Sequence, residues 1–220
     1  MDYKRVTLLC GHYGSGKTNI AVNMAFDLKK QKENVAVADL DIVNPYFRTK
    51  DSSEEFKQNN IRLICSEYAN TNLDIPALPQ DLYAITDDKD LNVIIDVGGD
   101  DRGALALGRI SEKIVEENDY EMLMVINCYR PLTRNAEDTL EVMREIELAG
   151  KIKFTGLINN SNLGELTSEE DVINSLSYAR EVSKLSSLPV VMTSVNENIY
   201  NALFEKVPNL FPLRLQKKII

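Results

Sequence analysis

Cysteine, excess positive charge and long apolar runs are all scarce in this 220-residue sequence, and each scarcity removes a class of function. The three cysteines, Cys10, Cys65 and Cys128, are odd in number and far apart, and no C-x-x-C or C-x-C pair occurs. That spacing supports neither a disulfide framework nor a cysteine metal site. Cys10 and Cys128, each near the end of an apolar run, read as small core residues. The formal net charge is −9, with 34 acidic against 25 basic residues, which argues against a broad nucleic-acid footprint. A local basic patch stays open. No apolar run reaches spanning length, and Met1-Asp2-Tyr3-Lys4-Arg5 leads straight into the first apolar run without a leader pattern. The cytoplasm is the expected compartment.

Short apolar runs alternate instead with helical patterns. Strands are predicted over 4–10, 34–40, 61–65, 91–97, 121–128, 153–159 and 188–193. Helices are predicted over 17–31, 77–86, 103–117, 133–149, 168–186 and 197–205. Val93-Ile94-Ile95 and Met122-Leu123-Met124-Val125-Ile126 are apolar without alternation, as strands buried on both faces require. In the fourth helix Leu140, Met143 and Ile146 form the apolar stripe. Strands alternating with crossover helices specify an α/β fold, a doubly wound and mostly parallel sheet of about seven strands, in one domain over 1–220. Ligands on such sheets bind beyond the carboxyl ends of the strands. No repeat or low-complexity tract interrupts the pattern. The stretch 66–80, with Pro76 and Pro79, is the longest irregular segment and a candidate substrate or partner loop.

The segment Gly11-His12-Tyr13-Gly14-Ser15-Gly16-Lys17-Thr18 matches G-x-x-x-x-G-K-[ST] at every fixed position. It follows a strand-like run and opens a helix-like one, the setting of a phosphate-binding loop. Glycines let backbone N–H groups approach an anion closely, and the helix start adds unpaired donors and partial positive charge. Residues 11–19, through Asn19, therefore form the predicted cradle, in which Lys17 reaches the β- and γ-phosphates and Thr18 ligates Mg²⁺.

Two further segments belong beside it. Asp39-Leu40-Asp41-Ile42-Val43-Asn44-Pro45 follows the second strand, and Asp41 is the candidate to hold Mg²⁺ through water or to orient an attacking water. Leu91-Asn92-Val93-Ile94-Ile95-Asp96-Val97-Gly98-Gly99-Asp100 reads as a Walker B strand, with Asp96 in the metal shell. Gly98 or Gly99 can offer a bare N–H to a γ-phosphate. The stretch after it, Asp100-Asp101-Arg102-Gly103, is then a candidate switch, while Asp101 also suits a solvated turn.

GHYGSGKT, DLDIVNP and DVGGDDRG together resemble the MinD/ParA/nitrogenase-iron-protein group of P-loop ATPases. The resemblance covers most of the chain. It implies ATP binding, Mg²⁺, slow hydrolysis, nucleotide-dependent homodimers and a protein partner that reads the ATP state. One position departs. That group carries a signature lysine after the first glycine, in G-K-G-G-x-G-K-[ST]; here the residue is His12, the chain's one histidine, followed by Tyr13. An imidazole is shorter and often neutral at pH 7, so it compensates phosphate charge less. Either His12 is a conditional replacement or it is a plain loop residue, and Arg102 is another source of the missing charge. Relatives without that lysine include ligases similar to dethiobiotin synthetase and cobyrinate synthase, which keeps ATP-dependent ligation or phosphorylation of a small carboxylate or hydroxyl substrate as the alternative function.

The strand over 153–159 ends in Asn159-Asn160-Ser161-Asn162, where guanine-specific relatives place N-K-x-D. With Asn162 in place of the carboxylate, adenine is favoured over guanine. Asn159 is expected to contact the base or support its loop. Arg130, in Asn127-Cys128-Tyr129-Arg130-Pro131, has three open roles: binding an anionic substrate, pairing with the acidic switch, or capping the fold. The tail over 213–220 mixes apolar and basic residues, so a membrane anchor competes with a segment packed on the core.

Overall fold

The computed structural model describes residues 2–40, 53–65, 80–99 and 101–215. The chain opens with β1 (Val6–Cys10), α1 (Lys17–Lys29), β2 (Val35–Asp39), α2 (Ser53–Gln58) and β3 (Ile61–Cys65). A 3₁₀ turn (Gln80–Tyr83), α3 (Ala84–Asp87), β4 (Asn92–Asp96), α4 (Asp101–Leu107) and α5 (Ser111–Glu117) follow. The second half holds β5 (Tyr120–Ile126), α6 (Ala136–Gly150), β6 (Gly156–Asn159), α7 (Glu169–Ser186), β7 (Val190–Asn196), α8 (Glu197–Leu203) and β8 (Leu210–Leu213). The strands form one sheet in the order β3-β2-β4-β1-β5-β6-β7-β8, and every pairing is parallel.

Burial on both faces explains the uninterrupted apolar strands. Leu8, Val93, Ile95, Met122 and Met124 enter one core, shared with Leu107, Met143 and Val182 of α4, α6 and α7. Their neighbours Leu9, Ile94, Leu123 and Val125 enter the other, with Ile20, Met24 and Leu28 of α1 and Phe56 of α2. Successive strand residues point to opposite faces, so each run needs apolar side chains at every position.

Among the described residues the sheet has eight strands, where the sequence predicts about seven. The extra one, β8, pairs with β7 through registers that include Val195 with Pro212. Pro212 conceals the strand in the sequence, yet proline is tolerated there because β8 is an edge strand with one unpaired side. The tail is anchored further by Asn23 on α1, whose side chain accepts from the Arg214 amide at 2.9 Å and donates to its carbonyl at 3.0 Å. Residues 216–220, the rest of the proposed anchor, lie outside the described residues, and no described helix is long and apolar enough to cross a membrane.

Two predicted helices also differ. The one expected over 103–117 breaks into α4 and α5 at Gly108, a poor helix former whose carbonyl accepts from Ser111 Oγ at 3.3 Å. Of the helix expected over 77–86, the described part is a 3₁₀ turn followed by the single turn of α3. The short α2 was not foreseen.

Candidate functional site

The loop between β1 and α1 lies at the carboxyl edge of the sheet, with β4 on one side of β1 and β5 on the other. Its glycines adopt positive φ, 145° at Gly11, 76° at Gly14 and 93° at Gly16. Gly16 is the N-cap of α1 and takes a left-handed conformation closed to most side chains; a Cβ there would also sit 2.3 Å from Asn160 Nδ2. Gly16 has no side chain with which to cap α1, and the first turn of the helix holds no acidic residue. Among the described residues the amides of Gly16, Lys17 and Thr18 make no backbone hydrogen bond. By contrast, α6 is capped by Asn135, and α7 by Ser168 in a capping box with Asp171. An uncapped helix start with free N–H groups is an anion site.

Lys17 is 6% exposed and donates to the carbonyls of Gly11 at 2.9 Å and His12 at 3.3 Å. Its charge therefore meets neutral acceptors at the rim of the loop, positioned for an anionic partner. Ser15 Oγ is buried and has no hydrogen-bond partner among the described residues. The Ser15 amide closes the turn onto the His12 carbonyl at 3.1 Å. Thr18 Oγ1 donates to Asp96 Oδ2 at 2.6 Å, which joins the two predicted metal-shell residues from α1 and β4. Asp39 stands in register with Asp96 on the adjoining strand and is itself buried. No described group of three His, Cys, Asp or Glu side chains could hold a metal unaided. The Thr18–Asp96 pair suits Mg²⁺, which takes one or two protein ligands and completes its shell with phosphate and water.

Gly99, after β4, approaches the same loop. A Cβ on it would lie 2.6 Å from the Tyr13 amide nitrogen and 3.0 Å from Lys17 Nζ, so only glycine fits. His12 is half-buried, and its Nδ1 lies 3.0 Å from the Tyr13 carbonyl, within its own loop. Tyr13 is 57% exposed. Asn19 sits in the first turn of α1, where its carbonyl accepts from Asn23 Nδ2 at 2.7 Å. Asp41, Asp100 and residues 66–79 lie outside the described residues.

At the end of β6 the two neighbouring asparagines divide the work differently from the expectation. Asn159 has no exposed surface; its Nδ2 donates to Ser175 Oγ at 2.9 Å and its Oδ1 accepts from the Ser161 amide at 3.3 Å. Of the two roles expected for it, supporting the loop matches this geometry, whereas a side chain without surface offers nothing to a base. Asn160 is the residue that reaches the cradle. Its Nδ2 donates to the Ser15 carbonyl at 2.6 Å while its Oδ1 accepts from Ser194 Oγ at 2.7 Å. The sequence signal for it was its place at the lysine position of the N-K-x-D alignment. Asn162 donates to the Asn160 carbonyl at 2.7 Å and accepts from the Gly164 amide at 3.0 Å, so it shapes the loop. Cys10, buried at the end of β1, has its thiol pushed well above the ordinary range by burial and is an inert core residue.

A family model described as the CobQ/CobB/MinD/ParA nucleotide binding domain matches residues 8–173. The chain belongs to this family. The match takes in the cradle, the Thr18–Asp96 pair and the β6 asparagines, and it makes the chain a P-loop nucleotide-binding protein. Among solved structures the fold is similar to FtsY from Thermotoga maritima, with a TM-score of 0.59, 19% identity and coverage of 87% of this chain and 62% of that one. It is similar too to FtsY from Mycoplasma mycoides, with a TM-score of 0.58, 19% identity and coverage of 87% and 60%. A third similar structure is the signal recognition particle receptor FtsY from Elizabethkingia anophelis in complex with GDP, with a TM-score of 0.53, 17% identity and coverage of 99% and 62%. The CobQ/CobB/MinD/ParA member described here thus spans 60–62% of the length of those structures, and at such identities the likeness is one of fold. No curated protein matches its sequence.

Proposed function

We propose that this chain is a cytoplasmic, Mg²⁺-dependent ATP-binding protein, one nucleotide-binding unit over 1–220, that hydrolyses ATP slowly and uses its nucleotide state to act on a protein partner. The observation that carries the reading is the uncapped, left-handed Gly16 entry to α1 with Lys17 and the Thr18–Asp96 bond beside it. Lys17 and the free amides of Gly16, Lys17 and Thr18 would bind the phosphates. Thr18 and Asp96 would hold Mg²⁺, with Asp41 as a further ligand or water-orienting group. The metal supplies Lewis-acid charge neutralisation on the phosphate oxygens. Preference for adenine rests on the sequence after β6, which has Asn162 at the position where a guanine site needs a carboxylate acceptor.

Calorimetry of the whole chain with Mg·ATP and Mg·GTP, beside Lys17→Ala, tests the reading. Saturable heat with ATP, at least tenfold tighter than with GTP and abolished in Lys17→Ala, is the expected result. Equal or tighter GTP binding would overturn the base assignment and leave the cradle standing. Turnover that rises only when a small carboxylate is added would move the function to ATP-dependent ligation.

A further inference from the structure

We propose that Arg130 acts on the phosphate chain from within the same molecule, stabilising negative charge that develops on the leaving diphosphate. The inference rests on the nucleotide reading above and assigns one of its parts. Gly14 turns its open side to Arg130: a Cβ built there would lie 3.7 Å from Arg130 Nε and 3.8 Å from its Cζ. The guanidinium therefore rests on the cradle itself. It is exposed, and it makes no hydrogen bond or ion pair with a described residue. In a chain carrying 34 acidic residues against 25 basic ones, an arginine on the rim of an anion cradle with no carboxylate partner among the described residues is an unusual placement.

Its backbone is fixed. The Arg130 amide donates to the Asn127 carbonyl at 3.1 Å, and Thr133 Oγ1 donates to the same carbonyl at 2.8 Å. The Tyr129 amide donates to Asn127 Oδ1 at 3.0 Å, and Asn127 is fully buried. This turn follows β5, so Arg130 enters on the side of β1 away from β4. Lys17, Gly99 and the Thr18–Asp96 pair mark the β4 side as the γ-phosphate and metal end. The β6 asparagines mark the other end. Arg130 enters between them, where it would face the β-phosphate and the β–γ bridging oxygen of a bound nucleotide.

Hydrolysis forms a bond from a water oxygen to the γ-phosphorus and breaks the bond from that phosphorus to the bridging oxygen. The electron pair of the broken bond leaves on ADP, and the water proton is released with inorganic phosphate. Charge thus grows on the bridging and β-oxygens, where donors that tighten in the transition state raise the rate. The planar guanidinium offers two parallel donors there, which an ammonium cannot match. His12, occupying the position of the family's signature lysine, leaves this task open.

The test titrates the full chain with Mg·ADP alone and with Mg·ADP plus fluoroaluminate, a mimic of the transferring phosphoryl group. The wild type is expected to bind the second form more tightly. Arg130→Ala should weaken Mg·ADP by no more than about tenfold, since the cradle amides and Lys17 still hold the β-phosphate, yet lose about 100-fold of the fluoroaluminate gain. Arg130→Lys should restore less than about a tenth of it, and Arg134→Ala, on the same loop, should match the wild type. Full retention of the gain in Arg130→Ala, equal loss for both ligands, or no gain in the wild type would each overturn the proposal. A wild type that binds neither Mg·ADP nor Mg·ATP would remove the nucleotide reading itself.

Discussion

At the scale of the residue, Asn160 joins two distant elements while almost wholly buried. It is 3% exposed and ties the cradle at Ser15 to β7 at Ser194 through one amide. Asn160→Ala leaves a carbonyl and a hydroxyl without those partners, which costs about 1–3 kcal/mol. Thermal unfolding should register that loss, and calorimetry should show affinity for Mg·ATP falling by about tenfold, since a displaced Ser15 moves the donors beside it. Unchanged affinity in a destabilised variant would make Asn160 a structural tie alone. The neighbouring Asn159 would show the opposite pattern, with stability lost first, because its partners are Ser175 and the Ser161 amide.

Elements far from the site hold it through buried charge. Arg5, beside β1, is 7% exposed and donates to the carbonyls of Ile85 at 3.0 Å, Asp88 at 3.3 Å and Leu91 at 2.9 Å, and to both oxygens of Glu117 at the end of α5. It thereby joins β1, α3 and α5 at the edge opposite the cradle. Arg5→Met should lower unfolding free energy in urea by about 1–3 kcal/mol, because three carbonyls lose a buried donor while the half-buried Glu117 carboxylate keeps Lys89. The Arg5 guanidinium holds the Glu117 carboxyl below the usual range, with burial opposing and Lys89 assisting. That contribution is present above the ordinary carboxylate pKa and fades as pH falls through the lowered one.

Glu121 of β5 behaves in the reverse sense. Burial raises its carboxyl above the usual range, against the Thr7 hydroxyl that donates to it at 2.8 Å. Its proton is retained in the folded chain at pH values where the unfolded chain has lost it. The associated stability is complete below the ordinary pKa and disappears as pH rises through the raised one. Glu121→Gln keeps an acceptor for Thr7, so it should exceed the wild type in stability at pH 8 and match it near pH 3. A denaturation series across that range checks the sign.

On the scale of the whole molecule, ligand and fold are linked by mass action. A nucleotide present at about 100 times its dissociation constant adds about 2.7 kcal/mol to stability. For a chain of this size that raises the melting temperature by about 5–10 °C. Scanning fluorimetry with Mg·ATP should find this rise in the wild type and none in Lys17→Ala.

Much of this was legible in advance, for a local reason. The sequence alone determined the phosphate loop, since GHYGSGKT is one contiguous stretch, residues 11–16 between β1 and α1 followed by Lys17 and Thr18 at the start of α1, and its chemistry depends on contiguous backbone. It determined the parallel sheet as well, because strands buried on both faces must be apolar throughout. Only the tertiary structure decided that Asn160, 145 residues from Ser15, closes the cradle while Asn159 turns inward. It alone placed Arg130 against Gly14 and added β8 behind a proline. Those outcomes depend on strand order and register, which bring distant residues to one edge, and no local pattern encodes which of two adjacent side chains will face it.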